Sequence, residues 1–159
     1  MMDELGFSGS SQAHLDQYLT IRLGQQEFGI AILDVQEIRG WTPATTVPNA
    51  PEHFRGVINL RGTVVPLIDL RRKFRMAVPD DDRLSVTVVV RVGGKVVGLV
   101  VDGVSDVLDI LPDAISPPPD LGDGFEATSL AGIARSGDRL VSILAMNRIV
   151  GDEQLPVAA

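Results

Sequence analysis

Few residues in this 159-residue chain are of a type that makes or breaks bonds, and their spacing argues against chemistry. There are two histidines, His14 and His53. His14 falls in an N-terminal stretch that reads as a disordered tail, and His53, after Pro51-Glu52, reads as a solvated loop histidine. No cysteine is present, which excludes disulfides, thiolate metal sites and Cys nucleophiles. Asp80-Asp81-Asp82 could attract Mg²⁺, but consecutive acids in a proline-flanked linker are ordinarily just hydrated. Gly93-Gly94-Lys95 is rich in glycine, yet it stands between two apolar runs, where a hairpin turn is favoured over a phosphate loop. Ser8, Ser10 and Ser11 have no base nearby in the sequence. With no His/Asp/Glu cluster at metal-ligand spacing, the expectation is a chain without catalytic residues, metal or cofactor.

Two charges stand out instead. Glu37, in Val35-Gln36-Glu37-Ile38, and Arg61, in Ile58-Asn59-Leu60-Arg61-Gly62, interrupt otherwise apolar segments. Each could be a strand-end charge facing water. Alternatively the two sit at the rim of an apolar surface, where they orient a partner while neighbouring Val and Ile supply the attraction. Trp41, the only tryptophan, lies in Gly-Trp-Thr-Pro and reads as a packed lid over the core.

The elements that must position these residues repeat. Tyr18–Ile38 aligns without a gap on Thr87–Val107, so that Arg22 meets Arg91, Gly24 meets Gly93, Gly29 meets Gly98, Val35 meets Val104 and Glu37 meets Asp106. Gly56–Phe74 aligns on Gly132–Val150, with Gly56 on Gly132, Val65 on Val141 and Arg72 on Arg148. The agreement of turn glycines with apolar runs points to an internal duplication.

Within each half, short β-branched runs alternate with glycine turns, the pattern of antiparallel strands. Gly93-Gly94 and Arg61-Gly62 read as two-residue hairpin turns. Pro66 lacks a ladder donor, which argues for an edge or a strand end at that point. Asp69 is placed to cap a short helix beginning at Leu70, and Met146–Gln154 suggests a second. Val78–Arg83 is polar and proline-broken, a natural boundary between the halves. Pro117, Pro118 and Pro119 should be extended and exposed.

The resulting expectation is a mainly β chain of two tandem, pseudo-symmetric five-stranded barrels with short helices. The first barrel covers about 17–78 and the second about 84–150, with strands exchanged at the ends. Residues 1–16 and 151–159 form tails. A half of this size is marginal alone, so the halves should pack together and leave a groove.

Composition narrows the function. A hydrophobic content of 45% supports a core. A formal net charge of −7 disfavours nucleic acid and anionic lipid as partners. The start lacks the basic and apolar regions of a signal peptide, and no apolar run is long enough to span a bilayer, so the reading is a cytoplasmic protein.

The segments Phe28–Phe74, Gly56–Leu70 most of all, and Lys95–Ile110 closely resemble the CheW-like chemotaxis coupling family, and the similarity extends from Tyr18 to about Val150. This resemblance implies SH3-like barrels and an adaptor without enzymatic activity. It would link the cytoplasmic tip of methyl-accepting chemotaxis receptors to the regulatory domain of the histidine kinase CheA. The adaptor would be monomeric when isolated and recruited to membrane receptor arrays with its partners. A non-flagellar pathway such as pilus-driven motility is the alternative setting. By motif position, the resemblance implies a receptor-binding set of Val35, Glu37, Gly56, Val57, Asn59, Arg61, Gly98 and Val104. The kinase-binding residues would lie on the Thr42–Pro51 loop: Thr42, Thr45, Val47, Pro48 and Asn49. The chain departs from the family pattern at Gly132–Arg139, at Ala145 where an acid is common, and in its proline run.

Overall fold

A computed structural model describes residues 16–118 and 129–151. The elements in chain order are β1 (Asp16–Leu23), β2 (Gln26–Ala31), β3 (Val35–Arg39), β4 (Phe54–Leu60), β5 (Thr63–Asp69), α1 (Leu70–Lys73), β6 (Val86–Val92), β7 (Lys95–Val101), β8 (Gly103–Ile110), β9 (Ile115–Ser116), β10 (Leu130–Ser136), β11 (Arg139–Leu144) and α2 (Met146–Gly151). They build two sheets, one ordered β8-β1-β2-β11-β10-β9 and the other β3-β6-β7-β5-β4.

The sheets are not the two sequence halves. β1 and β2 join the second half's β8 to β11, and β6 and β7 join the first half's β3 to β5. The exchange therefore involves two whole strands from each half, where sequence reading placed it at the ends of units spanning 17–78 and 84–150.

The duplication is visible in the registers. Gly29 opposes Ile143 in a parallel ladder, and Gly98 opposes Leu67 in the equivalent one. Val35 opposes Val90, as Val104 opposes Ile21. The β4–β5 ladder slips between Phe54 and Gly56, and the β10–β11 ladder slips at the equivalent Leu130 and Gly132. The repeated glycines have a shared cause. A Cβ on Gly98 would stand 2.5 Å from Leu67 Cδ2, and one on Gly29 would stand 2.9 Å from Ile143 Cδ1. At each place the parallel strand lays a large aliphatic side chain over the glycine.

Three apolar clusters follow from this topology. The largest draws on both sheets: Leu19, Ile21, Phe28 and Ile30 from one meet Val88, Val90, Val97 and Leu99 from the other, with Leu70 and Phe74 beside α1 and Met146 and Ile149 in α2. A second lies within the five-stranded sheet (Ile58, Val65, Leu67, Val89) and a third within the six-stranded sheet (Ala134, Val141, Ile143). Val88 and Val90 serve the large cluster while Val89 serves the second, so β6 is apolar on both faces over the valine run Val88–Val90.

The hairpin turns form as the sequence indicates, with positive φ at Arg61 (52°) and Gly62 (86°) and at Gly93 (58°) and Gly94 (83°). Asp69 caps α1, its side chain accepting from the Arg71 N–H. Pro66 is a correction, because it lies mid-strand in β5 opposite Val57. Val57 spends both backbone groups on Thr45, so it exchanges none with Pro66, and pairing on the other side, to β7, begins only at Leu67. The missing donor is thus at the start of that ladder, where it is not needed. Asp16 opens β1 instead of ending a tail. The remaining expected tail residues, Pro119 and the part of Met146–Gln154 beyond Gly151 lie outside the described residues. Pro117 is exposed and Pro118 half-buried.

Candidate functional site

β3 and β4 are the two edge strands of the five-stranded sheet, four strands apart in its order. Glu37 and Arg61 nevertheless meet, with Arg61 Nη2 donating to Glu37 Oε1 at 2.5 Å. The sheet therefore curls until the β4–β5 turn reaches β3, and this ion pair bridges its edges. Arg39 Nη1 donates to Glu37 Oε2 at 2.9 Å, so the carboxylate is held between two guanidinium groups. Hydrogen bonds from Arg61, then from Arg39, keep the Glu37 carboxyl below its ordinary pKa. The Arg61 side chain is 71% exposed and that of Glu37 25%, so the arginine is presented outward and the acid anchors it. Asn59 fixes the turn by accepting from the Gly62 N–H at 2.9 Å.

The connection from β3 to β4 runs along the outer edge of β4. Thr45 and Val57 exchange both backbone hydrogen bonds at 2.9 Å. Gly56, at φ 136°, lets this happen, since a Cβ there would lie 2.3 Å from the Thr45 carbonyl oxygen. Gly56 is buried, so its role in the fold is to admit the loop backbone. Val57 is half-buried and Asn59 exposed on the other face of β4. Of the loop residues, Thr42 and Val47 are half-buried, while Thr45, Pro48 and Asn49 are exposed. Glu37 and Arg61 thus meet across the sheet's two edges, Asn59 holds the turn that carries Arg61, and Thr45 pairs with Val57 along β4.

The other two candidates lie apart. Gly98 is buried in β7 beneath Leu67. Val104 is in the other sheet, on β8, half-buried against the main core; its counterpart Val35 packs on the same core from β3. Trp41 is exposed at 40%, not a closed lid. A cleft of about 640 Å³ is walled by Tyr18, Ala31, Leu130, Ile143, Met146 and Arg148 among others, and Glu37 and Arg61 are not among its lining residues.

Two ionic clusters escaped sequence reading. Arg71 is fully buried. Its Nε and Nη2 donate to the two Asp69 carboxylate oxygens at 3.0 Å each, and its Nη1 donates to Ser85 Oγ at 3.0 Å and Asp102 Oδ1 at 2.9 Å. Burial works against the charge, but the hydrogen bonds to Asp69 and Asp102 hold the guanidinium above its ordinary range. Asp102 Oδ2 accepts from the Gly24 N–H of the β1–β2 turn, so this network ties the two sheets. The second cluster is Arg139, which donates to Glu27 at 2.8 and 3.0 Å and to Asp106 at 3.0 Å. The pairing of Asp106 with Glu37 in the duplication was its only sequence signal. Among the described residues, no group of three or more His, Cys, Asp or Glu is placed to hold a metal, and no helix is long and apolar enough to cross a membrane. What the arrangement offers is recognition by charge and apolar contact.

Comparison with known proteins gives a consistent picture. Residues 17–154 match the family described as CheW-like domain. The chain is 40% identical over 139 residues to the chemotaxis protein CheW of Klebsiella aerogenes, covering 87% of this chain and 84% of that one. It is 38% identical over 142 residues to the probable chemotaxis protein CheW of Rhizobium etli, covering 89% and 92%. Its fold is similar to the crystal structure of the scaffolding protein TtCheW from Thermoanaerobacter tengcongensis, with a TM-score of 0.81, 28% identity, and coverage of 91% and 99%.

Proposed function

The chain belongs to the CheW-like domain family of chemotaxis coupling scaffolds, and from that premise we propose that it is a non-enzymatic cytoplasmic adaptor joining chemoreceptors to the histidine kinase CheA. The two curled sheets serve as two SH3-like barrels that hold partners rigidly with respect to each other. The receptor tip docks on the β3 and β4–β5 edge carrying Val35, Glu37, Val57, Asn59 and Arg61. The kinase regulatory domain docks on the loop bearing Thr42, Thr45, Val47, Pro48 and Asn49.

The observation that carries this reading is the Glu37–Arg61 bridge. It projects one charged side chain from a rigid turn, three residues before the exposed Val64 of β5 (51% exposed). A fixed rim charge next to apolar contact area selects and orients an amphipathic helix.

The test is pull-down of a receptor-tip fragment and of the CheA regulatory domain with the intact chain and with Arg61→Glu. The intact chain should capture both. Arg61→Glu should lose receptor affinity by about tenfold, as expected for a reversed rim charge, with thermal unfolding unchanged. Capture of neither partner by the intact chain would end the adaptor reading. Full receptor affinity in Arg61→Glu would remove this face from it.

A further inference from the structure

The buried Arg71 network has a twin position in the second half, and the twin has no arginine. The repeat sets Asp69, Arg71 and Asp102 against Ala145, Asn147 and Leu33. Carried one and two residues further, it also sets Arg55 against Ala131 and Ser85 against Asp16. The backbone supports the match. The Asp69 N–H donates to the His53 carbonyl at 2.7 Å, and the Ala145 N–H donates to the Ser129 carbonyl at 2.8 Å. Arg71 and Asn147 are each the second residue of the short helix that follows. Asp102 reaches Arg71 with its side chain 18% exposed, whereas Leu33 turns out to solvent at 96%.

Without those ionic side chains the second position is open. It is the cleft of about 640 Å³, whose walls include Ala131, Ala145, Asn147 and Val92. Pockets that hold small ligands span about 300–1,000 Å³. A hollow of about 380 Å³ adjoins it, sharing Tyr18 and Ala31 and edged by Asp16 and Leu33.

Two acids remain there, Asp34 in the cleft and Asp16 in the hollow. Among the described residues neither has an ion-pair partner. Burial raises the Asp34 carboxyl above its ordinary pKa, and no cation offsets this. Burial, then the Asp16 charge, raise the Tyr18 hydroxyl, so Asp16 acts on the side chain that both cavities share. Arg148 also lines the cleft, exposed to solvent as its counterpart Arg72 is beside Arg71, so an outer arginine does not exclude a second guanidinium. Residues 1–15, 119–128 and 152–159, which lie outside the described ones, contain no arginine or lysine and cannot supply the missing cation.

We propose that this cleft takes an arginine side chain from a different protein, its guanidinium turned to Asp34 and Asp16 and its alkyl stem along Leu130, Ile143 and Met146. The first half makes this contact within the chain and the second makes it with a partner. Arginine is favoured over lysine because the twin position grips a planar, forked group at Nε and both Nη atoms. Glu37 and Arg61 do not line the cleft, so the site is independent of the receptor edge proposed above.

The experiment titrates the isotopically labelled full chain with acetyl-Leu-Arg-Leu-amide and with the same peptide carrying lysine or citrulline, the neutral near-isostere of arginine. The arginine peptide should shift the amide NMR signals of 31–34 and 145–148. The citrulline peptide should bind about tenfold more weakly, the loss expected when charge-assisted hydrogen bonds become neutral ones. The lysine peptide should fall between them. Asp34→Asn should weaken the arginine peptide by a similar factor without lowering the thermal unfolding midpoint, because Asp34 has no ion pair to lose. Ala145→Asp/Asn147→Arg restores the first half's pair within the chain and should abolish binding; if that variant does not fold, Asp34→Asn decides the question.

Unmoved signals at 31–34 and 145–148 in several millimolar arginine peptide would overturn the proposal. So would equal affinity for the arginine and citrulline peptides. Shifts spread over the whole acidic surface and indifferent to Asp34→Asn would mean general charge attraction, and would overturn it too. Self-association of the chain, detected by sedimentation and abolished in Asp34→Asn, would replace the different protein by a second copy and so overturn the occupant assigned here.

Discussion

Arg71 shows how much can hang on one side chain that looks like surface charge in the sequence. It stands in Asp-Leu-Arg-Arg-Lys, yet it and Asp69 are fully buried while Arg72 beside it is exposed. Removing one partner of a buried ionic network leaves uncompensated charge, so Arg71→Met should destabilise the chain by about 3–5 kcal/mol, measured by denaturant unfolding. Arg72→Met, an exposed change three residues from the same Asp69, should cost less than about 1 kcal/mol. Equal losses would show that Arg71 is not specially placed. Asp106 offers a pH test. Hydrogen bonds from Arg139 and then Thr20 lower its pKa from 3.8 to about 2. A depressed folded-state value stabilises the fold above the unfolded pKa, and this contribution disappears as pH falls from 3.8 through about 2. Because the Asp106 side chain is 46% exposed, the effect is small, at most about 1 kcal/mol. Asp106→Asn should thus be slightly less stable than the parent at pH 6 and equal to it near pH 2; a stability gap that persists there would point to lost packing instead.

At the level of strands and turns, two of the repeated glycine pairs, Gly29 with Gly98 and Gly56 with Gly132, are positions where backbone or an aliphatic side chain approaches closely, whereas Gly24 and Gly93 are open turn glycines. Gly56→Ala places a Cβ 2.3 Å from the Thr45 carbonyl oxygen at φ 136°, and Gly132→Ala places one 2.6 Å from that of Ser116. Each should cost about 1–3 kcal/mol by thermal unfolding, because backbone must move. Gly40→Ala, with nothing within 4 Å and no positive φ, should be neutral, and it serves as the control. These elements were legible in advance, since turn glycines, apolar runs and the Asp69 cap all act locally. Gly56 and Gly132, which align in the repeat, stand at matching register slips in two hairpins. Pro66 was misread because its consequence depends on where a neighbouring ladder begins, which is a tertiary fact. Gly98 entered the receptor-binding set by motif position, and its surroundings were not legible for the same reason: what lies over it is Leu67, from a strand 31 residues earlier in the chain. The Glu37–Arg61 pair was legible only as two open alternatives, because nothing local says that a sheet will curl until its edges touch.

At the scale of the molecule, the exchange of strands between halves has a consequence that a tandem of separate barrels would not. The period-two pattern of β1 and β2 is satisfied by any apolar partner, which is why sequence alone could not say to which sheet they belong. In the structure β2 lies beside β11 and β5 beside β7, so each parallel ladder joins one half to the other. The main core likewise takes Leu19, Ile21 and Phe28 from the first half and Val88, Val97 and Leu99 from the second. Cutting the chain between Pro79 and Asp80 should therefore give two fragments that each lack strands from both sheets and expose the central cluster. Neither fragment should show a cooperative thermal transition alone. Mixed in equal amounts they should recover one, at a concentration-dependent midpoint, because every severed contact except the covalent link can reform. A first-half fragment that melted cooperatively without the second would mean that β1 and β2 can complete a sheet with β3 to β5, and the interlocked topology would then be one arrangement among at least two of comparable stability.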